Sequence, residues 1–295
     1  MKGAVKTALQ ITKFGRGIEG SEATLICYLV AITTRAYGER TLEPALICGN
    51  ADFLMLEGVQ GELAALEPSP QDLIASLKVD ALYSKNLVKA FKSGAIEAIS
   101  FEDPHPGFKK LFLKPNYIQA SDMRFTKPLV VGFSVSWEEG WHSSQKVKKE
   151  YEKFSKDWWK FWCSPNVYGN LITKKSMPTY EKMFEKALIN VVMSRQSIIM
   201  LAMRRYELEQ GKLPVTLEEL VPKYLPAVPT DPFDDAPMRW NPEKKVIYSV
   251  GEDGKDDVGK IDPVRRKRGQ TFNTNYDVSM IYWGSEEAAQ ARLAK

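Results

Sequence analysis

Three carboxylates fall within five residues at Asp253, Asp256 and Asp257, grouped around Gly254. Charges this close repel one another, and a hard cation would relieve the repulsion. Calcium suits such a loop, because it takes roughly six to eight oxygen ligands in irregular geometry and accepts backbone carbonyls. An EF-hand is excluded: the twelfth position counted from Asp253 is Val264, where that motif needs glutamate. Asp277 falls where a returning strand would bring a further carboxylate beside the loop. A plain solvated Asp-Gly turn is the other reading of the same residues.

Catalytic signatures are scarce. The two histidines, His105 and His142, have Glu102 and Asp103 beside the first and Glu138 and Glu139 near the second. Neither arrangement sets two histidines one helical turn apart around a metal. No nucleophile elbow or phosphate loop occurs, and Gly15-Arg16-Gly17-Ile18-Glu19-Gly20 lacks the dinucleotide spacing. Cys27, Cys48 and Cys163 are scattered and odd in number, which indicates buried thiols, not a disulfide framework or a zinc site. A hydrolase using Glu102 or Glu138 stays open, since paired carboxylates leave no sequence mark. The balance of signals is against an enzyme.

Two stretches suggest surfaces. Lys146–Trp162 reads as a helix with Tyr151, Phe154, Trp158, Phe161 and Trp162 on one face and lysines mostly on others. Such a helix can lie on a membrane or stack single-stranded nucleic acid. Packing on a core is the plainer reading and the one preferred, with Trp158 and Trp162 buried. Arg265-Arg266-Lys267-Arg268 reads as a solvated basic loop. A net charge of +4 over 295 residues does not call for a nucleic-acid partner.

These residues need elements to hold them. Apolar spacing predicts helices over Leu9–Phe14, Glu22–Tyr37, Leu42–Leu66, Pro70–Leu77 and Ala81–Phe91, with breaks at Gly15–Gly17 and Gly38. Ser21 and Ser69 are candidate caps. Pro128–Ser136 is apolar and β-branched enough for a strand or an irregular core segment. A long helix is expected from Thr179 to Gln210, stopped by Gly211. Its stretch Ala187–Met203 is apolar on more than one face and reads as buried. Thr216 to Glu219 has capping-box form and opens a short helix. Met238–Trp240, Val246–Val250 and Tyr276–Trp283 read as three strands.

The order from Arg204 to Gly259 resembles the C-terminal half of the type II secretion system major pseudopilin. The matching pieces are Tyr206-Glu207-Leu208, Gly211-Lys212-Leu213-Pro214, Leu217 to Val221, Asp231-Pro232-Phe233 and Ser249-Val250-Gly251-Glu252-Asp253-Gly254. The likeness covers about the last third of the chain. It resembles the large uncharacterised envelope proteins of planctomycete and verrucomicrobial type that join this unit to a helical region. The resemblance implies a calcium site from the Val250 carbonyl, Asp253, Asp257 and Asp277, with Asp256 as substitute. It also implies an anchoring helix. Met1–Gly20 carries no apolar leader core, so either Met1 is not the natural start and an anchor lies upstream, or the anchor has been lost and the protein is soluble.

The expectation is therefore an α+β protein in two parts. Residues 1–178 would form a helical domain. Residues 179–295 would form a pseudopilin-like domain, with the long helix laid on a small antiparallel sheet. The expected role is a non-enzymatic structural or interaction protein of the cell envelope, with protein partners and a calcium-stabilised loop. Nucleic acid is not expected, and a membrane is expected only through the upstream anchor. A hydrolase in the helical domain, or a nucleic-acid or membrane-surface binder using the basic-aromatic helix, are the alternatives.

Overall fold

The computed structural model describes residues 2–47, 51–93, 115–157, 159, 162–163, 167–260 and 278–281. Among them the chain is mainly helical with one small antiparallel sheet, an α+β arrangement. The helices are α1 (Lys2–Glu19), α2 (Leu25–Ile47), α3 (Phe53–Ala65), α4 (Pro70–Lys92), α5 (Pro115–Val135), α6 (Trp137–Lys156) and α7 (Val167–Gln210). The strands are β1 (Arg239–Asn241), β2 (Val246–Ser249) and β3 (Val278–Ile281), in the order β1-β2-β3. Trp240 faces Ile247 across the first pair, and Ile247 faces Met280 across the second.

Several boundaries differ from those that periodicity suggests. Gly15 and Gly38 do not break helices; they lie inside α1 and α2. A Cβ on Gly15 would sit 2.7 Å from the Arg35 backbone nitrogen and 2.8 Å from the Ala31 carbonyl oxygen. One on Gly38 would sit 2.7 Å from the Thr12 nitrogen and 2.9 Å from the Ala8 oxygen. These glycines are where two helix backbones touch. The second helix starts at Leu25, so Ser21 is too early to cap it. At α3, Asp52 is the cap, its carboxylate accepting the Met55 N–H at 2.7 Å.

Pro128–Val135 is helical, neither strand nor irregular. Phe125, Leu129 and Phe133 are buried at four-residue spacing, while Val131 and Val135 are exposed. The period is that of a helix, and packing overrides the β-branched composition. The long helix starts at Val167, earlier than Thr179, and takes in Gly169 and Asn170.

The described chain forms two compact units. The first gathers residues 1–20, 29–69 and 186–295, and the second gathers residues 21–28 and 70–185. The division therefore collects non-contiguous segments and falls within α7. In the first unit, residues 187–194 and 196–203 of α7 are all buried. Asn190 donates to the Ile32 carbonyl of α2 at 2.9 Å. Gln196 donates to the Ile247 carbonyl of β2 at 3.2 Å and the Val278 carbonyl of β3 at 2.6 Å. The helix is thus covered by helices on one side and by the sheet on the other. One stretch, Tyr180–Gln210, is long and apolar enough to cross a membrane, but its apolar window is 89% buried in the protein.

In the second unit, α5 and α6 form a close hairpin. Ser136 joins them, its hydroxyl oxygen accepting the Glu139 N–H at 3.1 Å to cap α6. The Phe133 ring lies over Gly140, where a Cβ would meet it at 2.0 Å. That ring also packs edge-on to Trp137 at 5.9 Å and against Phe184 at 5.3 Å between centroids.

Candidate functional site

The acidic loop is organised by a residue outside it. Asp231 is fully buried at the start of a proline-rich turn. One of its oxygens accepts the Phe233 N–H at 3.1 Å and the Ser249 hydroxyl at 2.8 Å. The other accepts the Val250 N–H at 3.0 Å and an Arg239 N–H at 3.2 Å. The carboxylate therefore ties the turn, the end of β2 and β1 into one knot. Burial raises its pKa, against the lowering effect of the Phe233, Ser249 and Val250 donors.

Arg239 is the counter-charge of the whole region. Its guanidinium pairs with Asp231, with Asp234 and, at 3.4 Å, with Asp256. One planar cation with several donors spans three carboxylates, two from the same turn and one from the acidic loop. Its pKa is raised; burial opposes the charge, but the Asp234, Asp231 and Asp256 carboxylates outweigh it together.

The expected calcium ligands are placed as follows. Val250 is buried, with its N–H on Asp231. Asp253 is exposed and accepts the Lys255 N–H at 3.1 Å, closing its own turn. Asp256 is exposed, accepts the Val258 N–H at 2.8 Å and turns its other oxygen to Arg239. Asp257 is half-buried. Asp277 lies outside the described residues. Among the described residues no three acidic, histidine or cysteine side chains come together to hold a metal. Among the described carboxylates, Asp253 and Asp256 each accept a backbone N–H, and Asp256 also pairs with Arg239.

Of the other sequence candidates, Trp158, His105 and Glu102 lie outside the described residues. Trp162 is 47% exposed and Trp159 71% exposed, beyond the end of α6. Their expected burial is therefore corrected for Trp162: α6 ends at Lys156, so the apolar face that it buries no longer carries the ring inward. Glu138 is buried in the first turn of α6 and His142 is exposed on it. Cys27 and Cys163 are both exposed free thiols, not buried ones.

Sequence reasoning missed a second polar centre, inside the first unit. Arg35 is fully buried on α2. It donates to Glu19 of α1 at 2.8 Å, to Glu39 at 3.0 Å and to the Ser194 hydroxyl of α7 at 3.4 Å. Arg16 approaches Glu19 at 3.6 Å from the rim. Desolvation raises the Glu39 pKa, while Arg35 and Ser194 oppose the rise and Glu19 adds to it. A hydrophobic helix pattern gives no sign that Arg35 and Glu39 would face inward; only their spacing of four hinted at a pair.

The second unit has a cleft of about 200 Å³ walled by Leu129, Val147, Met177 and Phe184, with the Lys148–Glu181 ion pair at its side. The Tyr151 ring lines it, and the Tyr151 hydroxyl is buried without a hydrogen-bond partner.

Fold and sites together define an α+β protein with a helical core and a small, ion-paired sheet region. Compared with protein-family models, with curated proteins and with solved structures, the chain finds no match in any of the three.

Proposed function

We propose that this chain is a non-enzymatic structural or interaction protein of the cell envelope, built around a pseudopilin-like unit at residues 179–295. The observation that carries the reading is the Asp231 knot. The most buried carboxylate of the sheet region makes four contacts: one, from the Phe233 N–H, closes its own turn, and three join that turn to β1 and to the end of β2. A carboxylate committed in this way serves architecture, not turnover. The element order gives further support: a long helix, a short turn of helix at Leu217–Leu220, a proline-rich loop and an antiparallel strand pair. That is the order the resemblance implies.

The test is cell fractionation with the tagged product of the full-length gene. The expected result is recovery with the envelope, with crosslinks to protein partners from a photoreactive residue at the exposed Val215 or Val258. Recovery as a cytosolic pool without crosslinked species overturns the reading.

A further inference from the structure

Helix α6 buries one face and presents a different chemistry on the other. Trp137, Gly140, Trp141, Ser144 and Val147 are buried against the second unit. Lys146, Lys149, Lys153 and Lys156 recur every three or four residues and are all exposed. At helical rise the stripe is about 15 Å long. None of the four makes an ion pair among the described residues, whereas Lys148, on the buried side, pairs with Glu181. Of the two acids flanking the stripe, Glu150 is engaged by Arg124 at 2.6 Å and Glu152 is exposed, one turn from Lys149 and from Lys156. Glu139 lies two turns before Lys146. Just past the C-terminal end of the helix stand Trp159 and Trp162, 71% and 47% exposed.

We propose that this lysine stripe and the two tryptophans form a docking surface for an anionic lipid membrane. A row of exposed lysines on a rigid helix complements a layer of anionic headgroups. Each lysine near such a surface adds about 1 kcal/mol, close to a five-fold gain in partitioning. Exposed indole rings beside it suit the headgroup boundary, where an apolar ring body and a polar N–H are both satisfied. The lysines lie opposite the buried face, so α6 docks without leaving its hairpin partner. A nucleic acid would also meet the lysines, but stacking needs ring faces along the groove. Here the rings follow the end of the stripe. The inference is independent of the pseudopilin-like reading.

The experiment is vesicle co-sedimentation of the full chain. Vesicles of phosphatidylglycerol mixed equally with phosphatidylcholine are compared with phosphatidylcholine alone. The expected result is binding to the anionic vesicles only, weakened as salt shortens the screening length from about 10 Å to about 3 Å. Each single Lys→Gln change among the four should lower partitioning about five-fold. The combined variant should fall to background while keeping the wild-type melting temperature, since all four side chains are exposed. Brominated acyl chains should quench tryptophan emission, and Trp159→Phe with Trp162→Phe should remove most of that quenching. Failure of the wild-type chain to bind anionic vesicles overturns the proposal. So does undiminished binding by the combined variant, or tighter binding to a single-stranded oligonucleotide than to the vesicles at equal salt.

Discussion

Asp231 and Arg239 hold the sheet region together, so their removal has calculable consequences. Arg239→Gln leaves a fully buried carboxylate without its cation, and loss of one partner of a buried pair costs about 3–5 kcal/mol. Arg239 is itself 21% exposed, so the lower end applies. Asp231→Asn is of similar size, because an amide NH₂ must then face a group that already donates. Urea denaturation of both variants checks this, and wild-type midpoints would contradict it. The same guanidinium bears on calcium. It already neutralises Asp256, while Asp253 closes its own turn. The calcium reading predicts a higher melting temperature in millimolar calcium than in chelator, by mass action, and equal values would leave the loop as a turn. A rise abolished by Asp253→Ala would establish the site that the resemblance implies, with Asp277 completing it.

Glu39 carries a second prediction at this scale. Its folded pKa lies above the ordinary carboxylate value, chiefly through desolvation, with Arg35 and Ser194 opposing and Glu19 adding. The folded state therefore holds the proton more tightly than the unfolded chain. That contribution to stability is complete below the unfolded value and is lost as pH rises through the folded one. Glu39→Gln removes the loss, so the variant should gain on wild type as pH rises from 4 towards neutrality. Arg35→Met should be strongly destabilising at neutral pH, about 3–5 kcal/mol, because it leaves the buried Glu19 without its cation. Melting curves across this pH range check both. An unchanged pH profile in Glu39→Gln would show that Glu39 does not hold the proton.

At the scale of elements, glycine is the residue most easily misread. Local rules take Gly15 and Gly38 as stops. Yet both lie mid-helix, because α1 and α2 approach until each glycine meets the other's backbone. The sequence shows a missing side chain but not the neighbour that requires it. The strands were easier to see, since Val246–Ser249 and Val278–Ile281 fall within the strand-like runs Val246–Val250 and Tyr276–Trp283. So was the buried stretch of α7, which is apolar on more than one face. The Arg35 centre was not visible, because burial of a charge depends on partners from α1 and α7 that lie far away in the chain. The knot at Asp231 was hidden for a related reason: Asp-Pro reads as a turn, and only the fold brings Ser249 and Arg239 to it. The glycine crossing predicts a contrast among three alanine variants. Gly15→Ala and Gly38→Ala each force a methyl to within 3 Å of backbone atoms, a clash of at least about 1–3 kcal/mol. Gly17→Ala meets nothing within 4 Å on the same helix. It should stabilise by about 0.5–1 kcal/mol through helix propensity. Equal effects of all three in urea titrations would show that the two helices do not cross at glycine.

For the whole molecule, the decisive fact is that the helical N-terminus and the sheet share one helix. Leu188, Val191, Val192, Ile199 and Leu201 are almost wholly buried. Asn190 reaches α2 while Gln196 reaches β2 and β3. Further along, Arg205 donates to Gln60 of α3 at 3.0 Å, and Gln60 donates to the Tyr224 carbonyl at 2.8 Å. Cutting the chain before residue 179 would keep the sheet but strip α1, α2 and α3 from the other side of α7. It would leave a row of large apolar side chains in water, at about 1.5–3 kcal/mol each. It would also leave Ser194 without the Arg35 cluster. That loss exceeds the net stability of ordinary domains, which is about 5–15 kcal/mol. A fragment of residues 179–295 should therefore aggregate or bind hydrophobic dyes without a cooperative melting transition. A separate peptide of residues 1–69 should restore solubility and cooperative melting, because it supplies the three missing helices. Residues 70–157 should not, because they belong to the other compact unit. If residues 179–295 alone prove soluble and melt cooperatively, then the sheet and α7 are a self-sufficient module and the helical cover is dispensable.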